Sequence, residues 1–163
     1  MINKYPENAN YVNLLREKEG VNNDNKENFE KNVKILDELI KEYPKSQMLR
    51  RYRLRFLEGE AFKNAFDEYI RPFFIKALPS VFSDVKELCR DAEKLKIIED
   101  LIVSHKDSLE TKNTFAGSDV QEAPTSVLWS YLFLAELYNF KGEYNKALDY
   151  VEKVIRSIKI FIV

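Results

Sequence analysis

Glycine and proline are scarce in this chain, with 4 and 5 among its 163 residues. An all-β domain needs many tight turns, and tight turns favour glycine, so that class is excluded first. Cysteine occurs once, as Cys89, which rules out an internal disulfide and fits a reducing compartment. Histidine also occurs once, as His105. A metal site needs several His, Cys, Asp or Glu side chains converging, and this inventory offers no such set. No run is long and apolar enough to span a bilayer. The opening MINKYPENAN lacks the apolar core of a secretory signal. A soluble cytoplasmic or nuclear protein is expected, assigned to the cytoplasm, with no membrane association. No charge dominates either: 26 basic against 27 acidic residues leave −1. A dedicated nucleic-acid binder is far more basic overall.

What is present points to helix. Hydrophobic residues make up 45% of the chain and charged residues 33%, enough for one soluble domain with a core. A first helix is predicted over about residues 9 to 19, ended by Gly20, followed by the polar loop VNNDNKEN. A second runs from about 27 to 43. Its residues Phe29, Val33, Leu36, Leu39, Ile40 and Tyr43 recur every three or four positions, and Pro44 closes it. After Gly59, the residues Phe62, Ala65, Phe66, Tyr69 and Phe73 carry helical spacing again, and Pro72 is expected to end or kink that run near Arg71. Val81, Phe82, Val85 and Leu88 form a short apolar stripe. Asp91 reads as the N-cap of a helix through about Leu109, with Leu95, Ile98, Leu101, Ile102, His105 and Leu109 on one side. TKNTFAGSDVQEAP reads as a loop before a last helical pair.

The segment RRYRLRFLEG, residues 50–59, admits two readings. Basic and apolar residues alternate over 51 to 56, the period of a half-buried strand. As a helix it puts Leu49, Tyr52 and Phe56 on one face and Leu54 and Leu57 on a second apolar edge. No partner strand is visible elsewhere, so helix is preferred.

The last pair carries a specific pattern. The tetratricopeptide repeat is a 34-residue helical hairpin with small and aromatic residues at fixed places. Leu134, Ala135 and Tyr138 match its first helix, Gly142 and Tyr144 its turn, and Ala147, Val151 and Val154 its second helix. Only the closing proline is missing; Lys159 stands near that place. Gly59, Phe62, Ala65 and Tyr69 repeat the turn and second helix more loosely. The predicted fold class is therefore an all-α, TPR-like helical-hairpin solenoid, a right-handed superhelix segment. Its units are a degenerate hairpin at about 9–44, irregular repeats at 45–77 and 79–110, and a well-formed repeat at 124–157.

Reaction chemistry finds no constellation. A Cys89–His105 dyad is conceivable, but a small buried cysteine and a histidine on a helix face explain both residues. Gly20, Gly59, Gly117 and Gly142 lie too far apart for a phosphate or coenzyme A loop. The carboxylate pairs Asp67–Glu68 and Glu99–Asp100 are adjacent and point to different sides of a helix. No catalytic, cofactor-binding or metal residue is assigned. What remains is surface. In such arrays the first helices line a groove that takes other proteins. Trp129, Leu132, Glu136 and Asn139 fall on that side, with packing of Trp129 on the preceding hairpin as the competing reading. Arg50, Arg51 and Arg55 are the candidates for a charged contact.

Several blocks in order carry a family resemblance: Arg50, Arg51, Leu54, Phe56, Leu57, Gly59 and Phe62; then Pro79, Val81 and Phe82; then Lys94, Ile97, Ile98, Glu99 and Leu101; then Pro124, Leu128 and Trp129. From about residue 11 to 155 the chain resembles the auxiliary, repeat-rich subunit of the NatA N-terminal acetyltransferase. That resemblance implies a non-catalytic scaffold with no cofactor of its own, binding a catalytic acetyltransferase subunit and the ribosome, with indirect contact to ribosomal RNA. The alternative is a generic repeat module for protein partners, or an RNA-contacting adaptor. The Asn-rich insert at 21–28 departs from the family pattern. The apolar end (Ile158, Ile160, Phe161, Ile162 and Val163) suits the cut face of a longer array rather than a polar cap.

Overall fold

The computed structural model of the chain describes residues 8–21, 28–76, 81–114 and 125–159. Residues 22–27 of the Asn-rich insert, Pro79 with Ser80, residues 115–124 and residues 160–163 of the apolar end lie outside the described residues. Among the described residues eight α-helices follow in order: α1 Ala9–Lys18, α2 Phe29–Glu42, α3 Gln47–Leu54, α4 Gly59–Lys76, α5 Val81–Val85, α6 Ala92–Thr114, α7 Thr125–Phe140 and α8 Tyr144–Lys159. A short 3-10 turn at Leu88–Arg90 precedes α6. Among the described residues there is no strand, so the fold class is all-α.

The chain divides into two compact units, with the division inside α4 between Tyr69 and Ile70. In the first unit α2 packs on α3, and α3 on α1. Val12, Val21, Leu36, Leu39, Leu49 and Phe56 form the core, and Phe29, Val33, Ile40 and Tyr52 pack against it. The α2 stripe read from its spacing is the face that turns inward. Gly20 ends α1 with φ of +76°, a region other residues enter at a cost. Its N–H donates to the Glu17 carbonyl at 3.0 Å, and Val21 N–H reaches Arg16 at 3.0 Å. These two bonds satisfy carbonyls that the helix end would otherwise leave unpaired, and Val21 drops into the core.

RRYRLRFLEG is helical only in part. α3 begins three residues earlier, where the extended Ser46 accepts from Leu49 N–H at 3.3 Å as its N-cap. It ends at Leu54, so Phe56 lies beyond the helix. Phe56 is buried all the same, edge-on to Phe29 with ring centroids 5.3 Å apart. Pro72 does not end the run: α4 continues through it to Lys76. Proline removes one N–H and costs roughly 3 kcal/mol in a helix interior. In the first unit's part of α4, Phe62 and Phe66 are fully buried and stacked at 5.8 Å.

In the second unit α6, α7 and α8 pack in succession, and α5 also packs on α7. Val81, Phe82, Val85 and Leu88 are buried as their stripe predicts. Phe82 meets Phe133 edge-on at 5.4 Å. Asp91 caps α6, its Oδ1 accepting from Glu93 and Lys94 N–H at 2.9 and 3.1 Å. The helix continues to Thr114, so 111–114, read from sequence as loop, are helical. Gly142 turns the last hairpin with φ of +77° and the same pair of bonds as Gly20: its N–H to Asn139, and Glu143 N–H to the Tyr138 carbonyl. Leu134, Ala135, Tyr138, Ala147 and Val154 are buried. Tyr144 and Val151 of the repeat pattern lie exposed instead, in line with Leu148 and Ile155 on α8.

Candidate interaction surfaces

α7 and α8 hold their relation to α6 through a polar network. Tyr138 Oη donates to Glu99 Oε1 at 2.7 Å, and Lys141 Nζ donates to Glu99 Oε2 at 2.7 Å. Lys141 also pairs with Glu143 at 2.9 Å, and Glu143 with Lys146 at 2.6 Å. The lysine contacts, Lys146 first, hold the Glu143 carboxyl below its usual range. Burial, and then the bond to Glu99, push the Tyr138 phenol well above its usual range. Tyr138 also stacks on Tyr150, nearly parallel, at 5.7 Å.

The candidate face of α7 is built by spacing. Trp129, Leu132, Glu136 and Asn139 follow one another at three, four and three residues, which places them along one side. Trp129 and Leu132 are half-buried, and Glu136 and Asn139 are exposed. The Trp129 indole Nε1 is itself buried and makes no hydrogen bond among the described residues. Glu136 is the one charged residue of the 16 in α7. Burial beside apolar neighbours raises its carboxyl above the ordinary value.

The arginines of 50–55 take separate roles. Arg50 donates from one guanidinium nitrogen to the Pro44 carbonyl at 2.6 Å and to Ser46 at 3.2 Å, tying the α2–α3 turn. Arg53 pairs with Asp37 of α2 at 2.6 Å. Arg55 is exposed, and its guanidinium lies over Tyr52 at 5.1 Å. Arg16 of α1 reaches the same ring at 4.7 Å, while Tyr52 Oη donates to Asn13 at 2.5 Å. Arg51 is half-buried on α3. Sequence reasoning missed Arg16 because its nearness to Tyr52 depends on α1 packing on α3. The Ser46 cap had a local signal, a serine just after Pro44 and before an apolar-periodic run.

Burial pushes the Cys89 thiol up to about 12, which keeps it protonated and a poor nucleophile at neutral pH. Among the described residues no group of three His, Cys, Asp or Glu could hold a metal ion. No described helix is long and apolar enough to cross a membrane. Packed helical hairpins with a tetratricopeptide-type turn, offering helix faces, define a TPR-like scaffold class. The comparisons sharpen that class. The family described as "N-terminal acetyltransferase A, auxiliary subunit" matches over residues 1–162, and the chain belongs to that family.

The chain is 39% identical over 127 residues to the Arabidopsis thaliana "N-terminal acetyltransferase A complex auxiliary subunit NAA15", covering 78% of this chain and 14% of the relative. It is 34% identical over 131 residues to the Homo sapiens "N-alpha-acetyltransferase 16, NatA auxiliary subunit", covering 79% and 15%. It thus spans about a seventh of the length of those relatives. A chain in a solved structure described as "Structure of Naa15/Naa10 bound to HypK-THB" matches it with a TM-score of 0.70 and 26% identity. That match covers 95% of this chain and 22% of the other.

Proposed function

We propose that this chain is part of a non-catalytic scaffold that binds the catalytic acetyltransferase subunit and anchors the complex to cytoplasmic ribosomes for co-translational N-terminal acetylation. The likeness over 95% of the chain to a chain of the solved Naa15/Naa10 assembly supports its catalytic-subunit arm. Four hairpin units, at about 9–44, 45–77, 79–110 and 124–157, make up this stretch of the scaffold. The α7 face with Trp129, Leu132, Glu136 and Asn139 is its protein-facing side.

The ribosomal arm draws on the basic cluster. Arg55 and Arg16 both lie over Tyr52, and Arg51 sits one turn before Arg55. Guanidinium groups beside an aromatic ring suit phosphate and base contacts. Arg50 contributes through the turn it ties.

The test is affinity purification of the tagged full-length protein from its own cells. An acetyltransferase and ribosomal proteins should co-purify, and Arg51→Glu with Arg55→Glu should reduce the ribosomal fraction while leaving the acetyltransferase. Recovery of neither partner refutes the proposal.

A further inference from the structure

Glu136 differs from the paired acids of the described chain. Asp37, Glu38, Glu60, Glu87, Glu99, Asp100, Glu143 and Glu152 each have a basic partner within 4.0 Å. The Glu136 side chain has neither hydrogen bond nor ion pair among the described residues. The reason is in its helix. Positions one turn away on α7 are Leu132, Phe133, Asn139 and Phe140, so no cation of α7 can reach it. Its side chain is nonetheless exposed, open to a group from outside. Leu132 and Trp129 extend the same face as half-buried apolar surface, and Asn139 adds an amide.

From this arrangement we infer that the α7 face is a docking site for a cationic side chain of the catalytic acetyltransferase subunit, Glu136 receiving the charge and Leu132 the side chain's methylene stem. The inference rests on the scaffold reading above and names the chemistry of its contact. Charge complementarity sets the sign: a lone carboxylate on apolar surface attracts a cation and repels a phosphate backbone, so this face takes protein rather than RNA. Arginine fits better than lysine, because its flat guanidinium can share both Glu136 oxygens while resting on apolar surface. Burial raises the carboxyl in the free protein, and a cation seated on it would reverse that trend.

The experiment measures affinity of the full-length protein for the purified catalytic subunit by biolayer interferometry at two salt concentrations. Glu136→Lys should weaken binding at least tenfold. Glu136→Gln should weaken it less and flatten the salt dependence. Glu152→Lys on α8, which alters an acid already paired with Arg156, should bind as the parent does. Circular dichroism establishes that each variant is folded. If the parent binds and Glu136→Lys binds equally well or better, the docking site is refuted and the scaffold reading stands. If the parent itself does not bind, the scaffold reading fails and the docking site with it.

Discussion

Replacing Glu99 by leucine probes how firmly the last hairpin is fixed to α6. Glu99 accepts from the Tyr138 hydroxyl and from Lys141 Nζ, both at 2.7 Å. Tyr138 is 6% exposed, so its hydroxyl has little water to turn to. A hydrogen bond to a charged group contributes about 1.5–3 kcal/mol. The Glu99 and Lys141 side chains are each 21% exposed, and Lys141 keeps Glu143 at 2.9 Å; the ion pair therefore adds only about 0.5 kcal/mol. Glu99→Leu should destabilise the protein by about 2–3 kcal/mol in total. Tyr138→Phe should cost about 1–2 kcal/mol, and Lys141→Met under about 1 kcal/mol. Because Glu99 and Tyr138 share one bond, their double variant should fall short of the sum by about 1 kcal/mol or more. Urea unfolding followed by circular dichroism reads these differences as midpoint shifts at constant slope. A Glu99→Leu effect under about 0.5 kcal/mol, or strict additivity with Tyr138→Phe, would refute the reasoning.

Four further outcomes follow from single observations. Trp129→Phe should cost little in urea, since the buried Nε1 makes no hydrogen bond among the described residues and its removal lifts a desolvation cost that offsets part of the lost apolar burial. Gly142→Ala should cost about 1–2 kcal/mol through the positive φ alone, because an added Cβ would meet nothing within 4 Å. Cys89, buried with its thiol pushed up to about 12, should resist an aromatic disulfide reagent in the native protein and react on denaturation. The raised Glu136 carboxyl is disfavoured when ionised in the folded state, so its penalty is absent below the unfolded carboxyl value and grows as pH rises through the folded one. Glu136→Gln should therefore raise the melting temperature near neutral pH relative to the parent and lose that advantage in acid.

Some of this structure is legible in the sequence and some is not, for physical reasons. The α2 and α5 stripes and the Asp91 cap depend on local spacing, so periodicity finds them. Gly20 and Gly142 announce helix ends because few other residues accept a positive φ there. The last hairpin is plain because small and aromatic residues stand at fixed offsets. Pro72 does not end its helix, because a proline rule describes an average, and α4 passes through it. Alternation over 51–56 imitates a strand because α3 is only eight residues long, with one edge against α2. Of the candidate surfaces, the α7 face is a spacing argument and can be read directly. The roles of Arg50 on Pro44, Arg53 on Asp37 and Arg16 over Tyr52 depend on how helices meet in space. No local pattern separates them from Arg51 and Arg55.

The claim that this chain is part of a scaffold for an acetyltransferase is tested most directly by mass photometry of the full-length protein mixed with the purified catalytic subunit. The account predicts a one-to-one complex that persists at nanomolar concentration. Two separate species at every mixing ratio would contradict it.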